Sequence, residues 1–295
     1  MEIVEFIEYL TVEKKASENT REAYRRDVAA FETFLRKRGV LRDEEASNAD
    51  VAAYMMELKS NGKSKATTNR KLSSIRTYYR FLIKKGLVST NPTEDIKSPK
   101  IERKALEYLT IKEVEKLLES PDDSIKGLRD RAMLEVLYAT GIRVSEIIEL
   151  KMKDINLRMG FITCNGDHGR ARIVPMGVLA RKALDEYILH SRPALLKDKP
   201  DTTDTEVFLN YMGEPFSRQG FWKVLKQYGK AVGLEEKITP HILRTSFAVH
   251  MVQNGADLKS LQELMGHEDI MATQIYLSVT KNRIKDVYDR THPRA

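Results

Sequence analysis

An aperiodic, proline-containing stretch separates two helix-like regions of this chain. Residues 88–104 (VSTNPTEDIKSPKIERK) hold two prolines, many polar side chains and no hydrophobic periodicity. Such composition is typical of a linker. The chain has 295 residues, and roughly 150 residues per domain also suggests two domains. We therefore predict one domain at residues 1–88, a linker at residues 89–104 and a second domain at residues 105–295.

Residues 1–88 have the apolar spacing of helices. One amphipathic stretch begins near Asn19 or Thr20, either of which could cap it, and continues through Arg36. Its buried face is formed by Tyr24, Val28, Phe31 and Leu35. Segments 49–58 and 67–85 repeat this spacing, and glycine-containing turns end them. The first domain is therefore predicted to be a helical bundle.

Charge is distributed unevenly along this chain of net charge +7. No acidic residue lies between Glu57 and Glu94. The basic side chains there alternate with hydroxyl and amide groups, which favours a phosphate-facing surface, although a plain solvated helix face is the alternative. The predicted DNA-binding side chains are Lys63, Lys65, Thr67, Asn69, Arg70, Lys71, Arg76 and Arg80.

The second domain combines helices with a few short strands. Helical patterns precede and follow three strand-like runs at residues 155–157, 161–164 and 171–175, which Gly-containing turns separate. The predicted fold class is mainly α: a helical bundle, then a mostly α domain with a small three-stranded antiparallel sheet.

Composition excludes several classes of protein. Hydrophobic residues make up 41% of the chain, enough for sizeable cores. No apolar run approaches the ~20 residues of a membrane span, and the N-terminus is acidic, so we expect a cytoplasmic protein without a membrane partner. The single cysteine, Cys164, excludes an internal disulfide and a cysteine-rich zinc site. The histidines form no HExxH pattern, so no metal is expected.

Candidate chemical groups cluster late in the chain. Thr239-Pro240 predicts a helix start, and His241 and Arg244 lie in its first turn, where free N–H groups attract anions. His267 follows a glycine that ends another short helix, and Tyr276 comes nine residues later. Taken singly, such a histidine or tyrosine is more often a core or surface residue.

Taken together and in order, these residues resemble the tyrosine recombinase family, most closely its Xer-type site-specific recombinases. The matching segments are residues 138–147 (YATGIRVSEI), 239–250 (TPHILRTSFAVH), 264–267 (LMGH) and Tyr276. The resemblance covers essentially the whole chain, with a DNA-binding domain, a linker and a catalytic domain. The catalytic residues that it implies are Arg143, His241, Arg244, His267 and Tyr276.

The resemblance also implies a mechanism. Tyr276 would attack a DNA phosphodiester and form a 3′-phosphotyrosyl enzyme. Arg143 and Arg244 would bind the non-bridging oxygens, while His241 would accept the phenol proton and His267 would donate to the phosphate. Neither a metal nor another cofactor is implied. Glu146, one turn from Arg143, would orient that arginine or a neighbour, or is a simple surface acid.

The hairpin turn departs from the family pattern. The family usually carries a lysine there that protonates the leaving 5′-oxygen, and an ungapped match puts Asp167 at that position. An aspartate would repel phosphate and is not a cationic acid. His168 could donate the proton, Arg170 could supply charge, or the site is catalytically weakened.

The partner implied is double-stranded DNA carrying a partly palindromic recombination site. The expected assembly is a homotetramer on DNA and a monomer or dimer when free. A Xer-like role in chromosome dimer resolution is the leading interpretation, with a mobile-element integrase as the rival. A non-catalytic DNA-binding module and a type IB topoisomerase-like enzyme are two further hypotheses.

Overall fold

The computed structural model describes residues 2–100, 105–165, 171–197, 200–202, 204–267 and 270–276. The chain divides into two compact units, Met1–Lys104 and Ala105–Ala295. The hairpin-turn residues Asp167, His168 and Arg170 lie outside the described residues, as do residues 277–295. None of the described helices is long and apolar enough to cross a membrane.

The first unit consists of helices. They are α1 (Glu2–Val12), α2 (Glu18–Lys37), α3 (Asn48–Ser60) and α4 (Lys65–Lys84), with a 3₁₀ turn at Asp43–Glu45. Serine hydroxyls cap three of them. The cap of α2 is Ser17, which accepts a hydrogen bond from the Thr20 amide at 3.3 Å, so α2 begins before the predicted Asn19 or Thr20. The hydroxyl of an extended serine at the N-cap can accept a hydrogen bond from an amide of the first turn, which has no partner inside the helix.

Aromatic residues dominate the core of this unit. Phe6, Phe31, Tyr78 and Tyr79 are completely buried. The Tyr78 hydroxyl donates to an Asp43 carboxylate oxygen at 2.7 Å, and the Tyr79 hydroxyl donates to the Asp43 carbonyl at 2.8 Å. Because buried hydroxyls need partners, Asp43 lets two tyrosines of α4 fill the core without an unmade hydrogen bond.

The second unit is mostly helical and encloses its own core. Its helices are α5 (Ile111–Glu119), α6 (Ile125–Thr140), α7 (Val144–Ile148), α8 (Val178–Glu186), α9 (Arg192–Leu196), α10 (Arg218–Ala231), α11 (Pro240–Gln253), α12 (Leu258–Met265) and α13 (Met271–Gln274). A π-helical turn, Tyr187–Ser191, joins α8 to α9. Helices α6 and α11 are apolar on most sides and are therefore buried.

A small antiparallel sheet lies between α7 and α8. Its strands are β1 (Ile155–Asn156), β2 (Phe161–Asn165) and β3 (Ala171–Pro175), in the order β1-β2-β3. Ile162 pairs with Val174, and both side chains are buried. In the same register, Cys164 pairs with Arg172. This mainly α structure with a three-stranded sheet confirms the predicted fold class.

Candidate active site

Arg143 is held at the entrance to α7. Helix α6 ends at Gly141, whose φ of +60° lies in the left-handed region, and the chain turns into α7 with Arg143 as its N-cap. The Arg143 amide donates to Glu146 Oε2 at 2.6 Å, and its guanidinium donates to Glu146 Oε1 at 3.2 Å and to the Gly266 carbonyl at 2.8 Å. These contacts fix the guanidinium while leaving its side chain 35% exposed.

Glu146 binds a second arginine, Arg172 on β3, which was not among the predicted site residues. Both Arg172 terminal nitrogens donate to the carboxylate, at 2.7 and 2.9 Å, and its Nε donates to the Leu264 carbonyl at 2.8 Å. Burial alone would raise the pKa of Glu146, but the hydrogen bonds from Arg172 and Arg143 lower it overall. The signal in the sequence was the Arg-Ile-Val-Pro run at residues 172–175, which predicted only a strand.

Arg244 leaves α11 toward the same place. Its guanidinium donates to the carbonyls of Gly141 and Met265, and Nη2 lies 3.2 Å from His267 Nε2. Burial lowers the pKa of Arg244 to about 10, and the nearby charge of Arg143 acts in the same direction. Because the charges of Arg143 and Arg244 repel each other, an anion that binds both guanidiniums would be favoured here.

His267 directly follows the glycine that ends α12. Its Nδ1 lies 2.9 Å from the Thr273 hydroxyl, and its carbonyl accepts a hydrogen bond from the Gln262 side chain at 3.1 Å. Burial lowers the pKa of His267 to about 4, with further lowering by Arg244 and the other arginines. The ring is therefore neutral near pH 7. Thr273 was not anticipated, because a single threonine carries no sequence signal.

Tyr276 belongs to the same pocket as Arg143, Arg244 and His267, but it is covered. Its side chain is only 3% exposed and packs with Phe247, Val249, Leu261 and Met265. Burial raises the pKa of the Tyr276 phenol, and the charge of Arg244 and a hydrogen bond with Thr245 only partly offset this. The phenol thus lies near an arginine of the pocket, in a conformation that shields it from solvent.

The remaining catalytic candidate, His241, is exposed in the first turn of α11. It stands three residues before Arg244, which places both on the same face of the helix. Within the described residues, no hydrogen bond joins His241 to Tyr276. The pocket thus brings together Arg143, Glu146, Arg172, Arg244, His267 and Tyr276, with His241 one turn away along α11.

The arrangement concentrates positive charge around Arg143, whose side chain is partly exposed. Arg143 and Arg172 bond to a single carboxylate, Glu146, whereas Arg244 is held by backbone carbonyls. Such donors can bind the non-bridging oxygens of a phosphate and offset charge that develops there. Among the described residues, no group of three or more His, Cys, Asp or Glu side chains is arranged to hold a metal ion.

The predicted DNA-binding residues of α4 have different surroundings. Arg70 and Lys71 both contact Asp27, which is 1% exposed, and the Ser74 hydroxyl donates to the same carboxylate at 2.9 Å. Although the sequence of α4 contains no acid, Asp27 of α2 thus places a carboxylate beside this helix. These two cations are held in place on the helix and are partly neutralised.

Two other predicted DNA-binding residues contact the segment that was predicted to be a linker. The Asn69 side chain donates to the Pro99 carbonyl at 3.0 Å, while Arg76 donates to Ser98 Oγ at 3.2 Å and to the Ile96 carbonyl. Residues 96–99 of this segment therefore pack against α4 in the first unit. Elsewhere on this surface, Thr67 interacts with Ser64 at the start of α4, and the exposed side chains are Lys63, Lys65 and Arg80.

Comparison with known proteins identifies the family. Residues 107–283 match the model of the phage integrase family, and residues 3–86 match the model of the phage integrase N-terminal SAM-like domain. The chain therefore belongs to the phage integrase family.

Curated relatives are similar over almost the whole chain. A tyrosine recombinase XerD of Listeria innocua is 45% identical, with 99% of each chain covered. A tyrosine recombinase XerD of Oceanobacillus iheyensis is 42% identical, with 99% of this chain and 98% of that protein covered. This similarity confirms the predicted enzyme class, a tyrosine recombinase.

Solved structures share the fold. A XerA recombinase covers 100% of this chain and 99% of its own, with 26% identity and a TM-score of 0.55. A XerH site-specific recombinase bound to palindromic difH substrate gives a TM-score of 0.75 at 22% identity, covering 93% of this chain and 80% of that chain. The second similarity supports the fold alone.

Proposed function

We propose that this protein is a Xer-like site-specific recombinase that cleaves and rejoins double-stranded DNA through a 3′-phosphotyrosyl intermediate. The observation that carries the proposal is the pocket in which Arg143, Arg244 and His267 converge beside Tyr276. The similarity to XerD proteins over 99% of the chain supports the same reaction.

In the proposed cleavage step, Tyr276 Oη forms a bond to the scissile phosphorus while the bond to the 5′-oxygen breaks. The phenol proton passes to His241, and the leaving 5′-oxygen must receive a proton. Arg143 and Arg244 bind the non-bridging oxygens and offset the charge that grows on them. A phosphotyrosyl bond is a phosphodiester like the one broken, so attack by another 5′-hydroxyl reverses the step without an energy source.

The covered position of Tyr276 requires a movement before cleavage. At 3% exposure, the phenol cannot meet a duplex phosphate from outside. We propose that the segment carrying Tyr276 shifts when DNA fills the pocket, because phosphate would compete for the arginine donors now bound by the carbonyls of Gly141, Met265 and Gly266.

The proposal is tested with a suicide substrate. Wild-type protein is incubated with a candidate Xer site containing a bridging 5′-phosphorothiolate, whose leaving thiol needs no proton and cannot religate. We expect a covalent protein–DNA adduct on a denaturing gel. Tyr276→Phe should bind the site with similar affinity and form no adduct. An adduct in the phenylalanine variant would contradict the assignment of the nucleophile.

A weakened cleavage reaction is a second candidate, which Asp167 in the hairpin favours. An aspartate in place of the family's lysine supplies no cationic acid. We expect Asp167→Lys to increase cleavage of an ordinary phosphodiester substrate about tenfold or more. The same variant should change little on the phosphorothiolate substrate, whose leaving group needs no acid. Unchanged or slower cleavage of the ordinary substrate would contradict the alignment and leave His168 or Arg170 as the candidate donor.

We also propose the finer assignments of partner and role. The substrate is a partly palindromic DNA site with two recognition arms, each of which binds one protomer. Two such sites together then carry a tetramer. The role is resolution of chromosome dimers in the cytoplasm. The whole-chain similarity to XerD proteins supports this role over a mobile-element integrase. Resolution of two cloned candidate sites, compared with supercoil relaxation alone, separates recombination from a topoisomerase activity.

A further inference from the structure

Thr273 links the histidine of the pocket to the segment that carries the nucleophile. It is fully buried and belongs to α13, three residues before Tyr276. Its hydroxyl lies 2.9 Å from His267 Nδ1. One short segment therefore contacts the imidazole through Thr273 and supplies the phenol through Tyr276.

The contacts of His267 determine which ring nitrogen carries its proton. Arg244 Nη2 lies 3.2 Å from His267 Nε2. A guanidinium only donates hydrogen bonds, so Nε2 must accept. In the neutral ring the proton is then on Nδ1, which donates it to Thr273 Oγ1. The threonine hydroxyl thus turns Nε2, with its lone pair, toward the arginines.

We propose that Thr273 is a positioning residue that holds His267 Nε2 toward the phosphate site and readies it to donate to a phosphate oxygen. The inference rests on the proposed function and assigns a residue to that same site. When a phosphate binds, it draws the Arg244 donor away, and Nε2 takes up a proton from solvent. Both ring N–H groups then have acceptors, Thr273 on one side and the phosphate on the other.

The arginines around the ring explain why this positioning matters. Burial first, and the charges of these arginines second, lower the pKa of His267 to about 4, so the free ring is neutral and a bound anion would favour its charged form. A ring without its Nδ1 partner would bear a buried N–H with no acceptor, which penalises the charged form further. Because Thr273 and Tyr276 share a segment, the imidazole is oriented when that segment is seated.

The test uses four variants of the full chain. Thr273→Val removes the hydroxyl and keeps the side-chain shape, while Thr273→Ser keeps the hydroxyl. Thr140→Val is the matched control, because Thr140 is also fully buried in the second unit and its hydroxyl bonds within its own helix. Each protein is labelled with ¹⁵N in the histidine rings, and His267 signals are assigned by their loss in His267→Gln. Adduct formation on the phosphorothiolate substrate is measured alongside.

We expect wild-type His267 to be protonated on Nδ1 in the free protein. Thr273→Val should lower that fraction and slow adduct formation about tenfold, the effect of one lost hydrogen bond. Thr273→Ser should restore both, and Thr140→Val should change neither.

The proposal is overturned if Thr273→Val leaves the His267 signals unchanged, or if Thr140→Val slows the adduct equally. If the wild-type protein forms no adduct, the proposed function fails, whereas the ¹⁵N signals of the free protein still decide whether Thr273 sets the tautomer.

Discussion

Cationic side chains occupy two different environments in this molecule. On α4, each cation with a described partner is close to an acid or a carbonyl of the same unit: Arg70 and Lys71 contact Asp27, and Lys84 contacts Glu13. In the pocket of the second unit, Arg143 and Arg172 share Glu146, and Arg244 donates hydrogen bonds to uncharged backbone carbonyls. These three cations of α4 face two carboxylates, whereas the three arginines of the pocket share one.

A run of basic residues in the sequence therefore does not predict the net charge of the folded surface. The stretch between Glu57 and Glu94 lacks acids, yet three acids from elsewhere in the first unit contact its basic side chains. Asp27 lies on α2, Glu5 lies on α1, and Glu13 directly follows α1. The pocket, by contrast, is assembled from residues scattered between positions 141 and 276, none of which forms a basic run. Folding thus gathers the cations of the pocket from distant positions, whereas it places acids beside only part of the basic run on α4.

The largest effect should come from changing a guanidinium of the pocket. Arg244→Lys keeps a positive charge but loses the planar donors that bond Gly141 and Met265. We expect adduct formation to fall by ~10²–10³, with binding of the site by gel shift reduced only a few-fold. Arg76→Lys on α4 is the matched control and should leave the adduct rate nearly unchanged. Equal losses in the two variants would erase the distinction between the regions.

A smaller effect is expected at the carboxylate that organises the pocket. Glu146→Gln keeps the shape but removes the charge that Arg143 and Arg172 share, and we expect about 2 kcal/mol less free energy of unfolding at pH 7. The folded-state pKa of Glu146 is lowered, so its stabilisation is present above the ordinary glutamate value and is lost as pH falls through the folded-state value.

Urea unfolding at several pH values checks this prediction. The difference in unfolding free energy between wild type and Glu146→Gln should be constant near neutrality and shrink below about pH 4. A difference that persists at low pH would mean that the carboxylate acts through packing rather than charge.

The smallest effects should distinguish cations on α4. Exposed Arg80 is predicted to contact DNA phosphate, so Arg80→Ala should weaken binding by a few-fold and reduce the slope of log K against log salt by about one. Arg70→Ala frees Lys71 to pair alone with Asp27, and we expect a smaller change in the slope. Fluorescence anisotropy with one DNA duplex at a series of salt concentrations measures both. A larger change for Arg70 would show that its contact with Asp27 does not limit phosphate binding.

Periodicity and local signals predicted most of the fold. The Thr239-Pro240 start of α11 and the three strands occur where the sequence indicates. Helix α2 begins earlier than predicted, because its N-cap is Ser17 rather than Asn19 or Thr20. Such local choices depend on one hydrogen bond and are the hardest to read from a pattern.

The site was predictable to the extent that its residues lie in ordered motifs. Arg143, Glu146, Arg244 and His267 were identified and do converge. Arg172 and Thr273 were not, because their partners, Glu146 and His267, reach them only through tertiary folding. The covered state of Tyr276 was also invisible in sequence, since burial of a tyrosine depends on how α13 packs rather than on its neighbours in the chain.

The left-handed glycines at positions 141 and 266 have a consequence for engineering. A Cβ on Gly141 would lie 2.1 Å from the Phe247 ring, and one on Gly266 would lie 2.8 Å from the Arg172 guanidinium carbon. The carbonyls of these same residues hold Arg244 and Arg143. Copying only the side chains of this pocket onto another helical scaffold would therefore fail. The guanidiniums are also held by backbone carbonyls, and the two turns that present these carbonyls require glycine.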